Sequence, residues 1–139
     1  KESRDNAVRY VDSLGIRRDK IVIGAAFYSR VFGQADSTNN GLYQSCKFQN
    51  FVVYKTFPKA FSAANGYRCF WDDEAKAPFC YNEQKKLFAT FDDKRSVQLK
   101  TQYAIDKQLQ GIMFWELRQD VIDNGLLDAI YDVKTSIRK

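Results

Sequence analysis

At 139 residues, with 45% hydrophobic and 28% charged residues, the chain can bury a core of ordinary size and is neither a disordered tail nor a membrane-embedded protein. Its net charge of +5 is dispersed, with Arg17, Arg18 and Lys20 in one small group, Lys85 and Lys86 in another, and Asp72, Asp73, Glu74, Asp92 and Asp93 between others. Such a two-signed surface argues against nucleic acid as a partner, and no apolar run approaches a membrane span.

In chain order, Asp5 or Asn6 can cap a helix over about residues 7–14, with Val8, Val11 and Leu14 inward and Gly15 as its stop. Residues 20–28 predict a strand apolar on both faces, ending in Tyr28-Ser29-Arg30. The polar, turn-rich stretch between Gly33 and Gly41 is a surface loop. Residues 48–61 predict a helix limited by Pro58. Three short aromatic-rich strands follow, over residues 67–72, 77–81 and 86–91. A helix over about residues 94–107 carries Val97, Tyr103 and Ala104 on its apolar face. Gly111-Ile112-Met113-Phe114-Trp115-Glu116 is a second strand apolar on both faces, with an aromatic and a carboxylate at its tip. A last helix is expected over residues 124–137, striped by Leu126, Leu127, Ile130, Tyr131 and Val133.

The absence of histidine removes Ser-His-Asp and Cys-His schemes and nearly every zinc scheme, so no metal and no cofactor is expected. Cys46, Cys69 and Cys80 show no metal-ligand spacing. They are taken as three buried thiols, a Cys69–Cys80 bridge across a hairpin being the alternative if the protein is secreted. Adjacent carboxylates on a strand point to opposite faces, so Asp72/Asp73 and Asp92/Asp93 are not acid–base dyads. Turn formation or helix capping suits Asp92 and Asp93 better, and Glu116 is expected to be a structural hydrogen-bonding partner.

Strand–helix alternation with doubly apolar strands is the signature of an α/β fold with parallel strands. Two such strands alone leave long apolar edges, an association hazard, so the chain is expected to be part of something larger. It opens without an initiator methionine, consistent with excision from a longer parent.

Four segments, in order, resemble glycoside hydrolase family 18, the chitinase-like (β/α)8 barrels. Gly24-Ala25-Ala26-Phe27-Tyr28-Ser29-Arg30 is similar to the seventh-strand motif G-x-P-F-Y-G-R. Trp71-Asp72-Asp73-Glu74-Ala75-Lys76-Ala77-Pro78-Phe79 resembles the W-D-x-x-A-x-x-P-Y/F stretch of the family's inserted α+β subdomain. Phe91-Asp92-Asp93 resembles the Y/F-D-D that closes this insertion, and Gly111–Glu116 the eighth-strand motif G-x-M-x-W-E. Two departures stand out: Ala26 where the family has Pro, and Ser29 where it has Gly. Ser29 is expected to add bulk beside the site.

The resemblance implies a partial TIM barrel with an inserted α+β subdomain. Residues 1–33 would form a barrel helix and seventh-type strand, residues 34–93 the insertion, and residues 94–139 a helix, the eighth-type strand and the final helix. It also implies that the catalytic acid, carried by D-x-x-D-x-D-x-E on the fourth strand, lies outside this chain. The nearest candidate, Asp120-Val121-Ile122-Asp123, has neither the third Asp nor the Glu. In this family the substrate's own N-acetyl carbonyl is the nucleophile.

What remains here is substrate positioning. Trp115 is expected to offer a flat platform to a pyranose, Tyr28 a hydroxyl and Arg30 a donor fork, with Trp71 on the cleft wall. For Trp115 the competing role is core packing, where burying the indole is worth about 4–6 kcal/mol. Trp71, too, can be packing within the insertion. The expected partners are chitin or N-acetylglucosamine oligosaccharides and the remainder of the barrel, with self-association possible through open strand edges, and the expected location is extracellular. The rival readings are a non-catalytic glycan-binding member of the family and an interaction module that pairs its strand edges with another chain.

Overall fold

The computed structural model describes residues 3–136. Helix α1 spans Arg4–Ser13 and is capped by Ser3, whose hydroxyl accepts the Asn6 amide at 3.1 Å, rather than by Asp5 or Asn6. Gly15 ends it with a φ of 81°, the left-handed conformation that a residue without Cβ adopts at least cost. Val8 faces inward, whereas Leu14 lies past the helix end and is exposed, which corrects its assignment to the inward face.

Strand β1 (Val22–Ala26) pairs in parallel with β7 (Gly111–Trp115), with Ala26 opposite Trp115. Between them the chain builds a five-stranded antiparallel sheet from β2 (Tyr28–Gly33), β3 (Lys47–Val53), β4 (Arg68–Asp72), β5 (Ala77–Asn82) and β6 (Leu87–Thr90). The strand order is β3-β2-β6-β5-β4. The antiparallel sheet therefore begins at Tyr28, one residue after the parallel strand's neighbour Phe27, and the polar loop follows β2 instead of separating the two units.

The expected helix over residues 48–61 is instead strand β3 as far as Val53, followed by a single 3-10 turn over Tyr54–Thr56. Phe48, Phe51, Val52 and Val53 are strand formers, and the edge of β2 offers them a ladder of hydrogen bonds. Only the short helix α2 (Phe57–Ala60) forms, with Pro58 in its first turn, where a missing amide costs nothing. Cys69 and Cys80 stand directly opposite each other in the β4–β5 register and are disulfide-bonded, so the three-thiol reading is replaced by one bridge and the exposed free thiol of Cys46.

Helix α3 (Lys94–Asp106) opens on a capping box in which Asp93 accepts the Ser96 amide and Ser96 accepts the Asp93 amide. Helix α4 spans Leu126–Ser136, and the expected end at Ile137 lies outside the described residues. Asp120 holds its start by accepting the Leu126 and Leu127 amides, both at 2.9 Å. Gly125 allows this approach, since a Cβ there would lie 2.5 Å from the Asp120 carboxylate.

All helices of the parallel pair lie on one face. Ala25, Ile112 and Phe114 pack with Val97 of α3 and Leu126, Ala129 and Ile130 of α4, and Ile23 packs with Val8 and Ala104. The strands are thus covered on one side only, which corrects the expectation of two covered faces. On the other side Val22, Met113 and Trp115 are 45%, 51% and 61% exposed. A separate cluster around Val31, Phe57, Phe61, Cys80 and Ala89 fills one face of the antiparallel sheet.

Candidate functional site

The two sheets meet at Phe27. Its amide donates to the Trp115 carbonyl and its carbonyl accepts the Tyr54 amide, both at 2.9 Å. Its ring is fully buried and stacks on Phe114 with centroids 4.9 Å apart, so the joint cannot slide without breaking a packed aromatic pair. Ala26 and Trp115 face each other across the parallel pair at this joint, on the uncovered side. Phe27 itself is a bend between the two strands, and Tyr28 and Arg30 follow it on β2, on the face opposite to Ser29. Trp115, Tyr28 and Arg30, three of the expected site residues, therefore lie on the strands that meet at this joint.

Trp115 is exposed at a strand tip and lies outside the packed clusters of the described residues. Its peptide bond to Glu116 is cis. Tyr28 is half-buried and meets Phe51 edge-on at 6.3 Å. The Arg30 guanidinium lies over the Phe48 ring at 5.3 Å. Ser29 points the other way: it is fully buried, and its hydroxyl accepts the Val52 amide at 3.2 Å. The expectation that it crowds the site is corrected, because adjacent residues on a strand take opposite faces.

Trp71 is not brought to the other three. It sits on β4, at the far end of the sheet from β2 and β3, and the pairing register places it on the opposite face from Arg30. There Arg95 of α3 stacks on its ring at 3.8 Å, and its indole N–H donates to Asp73 at 3.1 Å.

The joint is secured from below by Asp92. This buried carboxylate accepts the Ala26 amide at 3.0 Å and the Ser96 hydroxyl at 2.8 Å, and is paired with buried Lys100. A proline at position 26 would have no amide to give, so Ala26 here supplies a donor that the family pattern lacks. Behind the joint, burial raises the Tyr54 phenol above its ordinary range, with the Asp120 and Asp93 carboxylates adding to it, so this hydroxyl stays neutral.

Four carboxylates of the chain are engaged in structure. Asp92 pairs with Lys100, Asp93 caps α3, Asp120 caps α4, and Asp72 accepts from the Tyr43 hydroxyl and the Glu74 amide. Among the described residues no group of three or more His, Cys, Asp or Glu side chains could hold a metal ion.

Phe48, Phe51 and the ion-paired role of Asp92 are the features near this joint that the sequence did not single out. The signal for the first two was the density of aromatic and β-branched residues in residues 48–53, which argues for strand over helix. For Asp92 the motif was visible, but the strand amide that it holds, that of Ala26, lies 66 residues away in sequence.

A model of the family described as glycosyl hydrolases family 18 matches residues 1–120. Chitinase A1 of Niallia circulans is 36% identical over 114 residues, covering 76% of this chain and 16% of that protein. Chitinase B of Serratia marcescens is 31% identical over 140 residues, covering 84% of this chain and 28% of that protein. The chain thus spans well under a third of the length of these relatives. Among solved structures, a glycoside hydrolase family 18 N-acetylglucosaminidase from Paenibacillus barengoltzii superposes with a TM-score of 0.83 at 34% identity, over 96% of this chain and 39% of that one.

Proposed function

The chain belongs to glycosyl hydrolase family 18, and from that premise we propose that it is the C-terminal part of a chitin-degrading (β/α)8 barrel. In this reading β1 and β7 are the last two barrel strands and β2–β6 form the inserted subdomain. The chain contributes the substrate-binding surface of Trp115, Tyr28 and Arg30, and the catalytic acid lies outside it. Trp71 belongs to the packing of the insertion against α3.

The observation that carries the reading is the uncovered face of the parallel pair, with an exposed tryptophan at its tip, at the joint from which β2 carries Tyr28 and Arg30. Helices on one side only leave the other side facing what would be the barrel interior. The indole suits the C–H face of a pyranose, and the phenol and guanidinium suit its hydroxyl and acetamido groups. The ligand class is a β-1,4-linked N-acetylglucosamine polymer. The Cys69–Cys80 bridge supports an extracellular location, since such bonds persist in oxidising compartments.

The test is direct. The purified chain should be retained on insoluble chitin, W115A should lose that retention, and neither should turn over a chromogenic chitobioside. Turnover by this chain, or retention indifferent to W115A, would overturn the assignment.

A further inference from the structure

We propose that the cavity between the antiparallel sheet and the loop joining β7 to α4 binds a small aromatic carboxylate, at a site separate from the strand tip that carries Trp115. The cavity has a volume of about 480 Å3, within the usual range for a small-molecule site. It lies on the sheet face of the cluster around Val31, Phe57, Phe61, Cys80 and Ala89. Arg30 precedes Val31 on β2 and takes the other face, so the cavity and the expected sugar contacts are on opposite sides of the sheet. Its interior is apolar and braced. The Phe57 ring meets those of Tyr54, Phe61 and Phe91 with centroids 5.2, 5.2 and 4.8 Å apart, and Phe61 stacks on Phe91 at 5.3 Å. The Cys69–Cys80 bridge completes the wall. Rings that hold one another in this way keep a space open for a further flat ring instead of collapsing into it.

The polar side chains that line the cavity are Tyr54, Lys94 and Asn124, and no carboxylate lines it. The Lys94 ammonium donates to Asn124 Oδ1, a neutral partner, and makes no ion pair with a described carboxylate. The Tyr54 hydroxyl has no hydrogen-bond partner among the described residues. The carboxylates that bear on it, Asp93 and Asp120, accept the helix amides that they cap. Lys94 also sits in the first turn of α3, where the helix dipole disfavours a cation. An anion held between Lys94 and Tyr54 offsets that cost and gives both donors an acceptor. The charge therefore selects a carboxylate at the polar side, and the walls select an aromatic ring behind it. A cationic ligand would face the lysine, and a sugar would press its hydroxyls against phenyl rings that cannot accept them.

The experiment titrates the 139-residue chain with cinnamate and with its neutral amide, cinnamamide, followed by nuclear magnetic resonance. Cinnamate should bind saturably with a Kd of about 1 mM or tighter, and cinnamamide about tenfold more weakly. K94M and Y54F should each weaken cinnamate about tenfold, and K94R should restore it. W115A should bind cinnamate like the wild type, and so should V22K/M113K, which charges the uncovered face of the parallel pair. If Y54F fails to fold, K94M and the amide comparison decide the outcome. No saturable binding up to about 10 mM would overturn the site. So would cinnamate binding indifferent to K94M, or cinnamamide binding as tight as that of cinnamate. Loss of binding in V22K/M113K or W115A with K94M unaffected would place the ligand on the open strands and overturn the site as well. None of these outcomes bears on the chitin reading, which is tested by retention on chitin.

Discussion

Asp92 is the residue on which the geometry of the joint most depends. Its carboxylate reaches a strand amide, a helix hydroxyl and a buried ammonium, and both members of the ion pair are almost wholly shielded from water. A charge pair in that position contributes little net stability when intact but much when broken, because one charge is then left buried alone. D92A should lower the unfolding free energy by about 3–5 kcal/mol, measured by urea titration, and the double variant D92L/K100M should lose much less. Tyr103 gives a residue-scale dependence on pH. Its hydroxyl donates to Asp5 at 2.9 Å, tying α3 to α1, and burial followed by that bond pushes the phenol up to about 12. The folded state favours the neutral phenol, so this stabilisation is complete below the unfolded value of about 10 and is lost as pH rises towards the folded value. Stability followed by circular dichroism should therefore fall more steeply above about pH 10 in the wild type than in Y103F.

At the scale of elements, the β4–β5 hairpin depends on its bridge. The disulfide closes a loop of 11 residues' separation and thereby restricts the unfolded chain. Reduction, or the pair C69S/C80S, should cost about 2–3 kcal/mol, read as a lower thermal midpoint in the presence of reductant, whereas C46S should change nothing. Helices α3 and α4, the parallel strands and the three short aromatic strands were legible in the sequence because period, caps and turn residues agreed there. Strand β3 was not. Its apolar residues do not alternate, Pro58 sits just beyond, and its strand state depends on the edge of β2, a contact that no local window contains. The bridge was legible only as an alternative, because pairing Cys69 with Cys80 requires a register that the sequence does not specify. Trp115, Tyr28 and Arg30 were singled out as candidates by motif and strand-tip position. Trp71 was separated from them only when the pairing register was known, and so was Ser29, whose hydroxyl ties β2 to β3 from the hidden face.

For the whole molecule, the open question of physics is the uncovered side of the parallel pair. Its rows alternate small and large residues across the two strands: Gly111 beside Val22, Gly24 beside Met113, Ala26 beside Trp115. Such interdigitating rows suit a surface that meets further strands and fills a shared interior. Each of the two strands has a single neighbour in the described sheet, so ladder groups on both outer edges face outward along with the apolar side chains. An exposed apolar face bounded by unpaired edges favours association of the chain with itself when no other strand is present. The sedimentation coefficient of the 139-residue chain should therefore rise with protein concentration. V22K/M113K places charges on that face without touching the helix-packed side, so this variant should sediment as a monomer with an unchanged melting temperature. A wild-type chain that stays monomeric up to millimolar concentration would mean that this face is covered in solution by the chain's own residues.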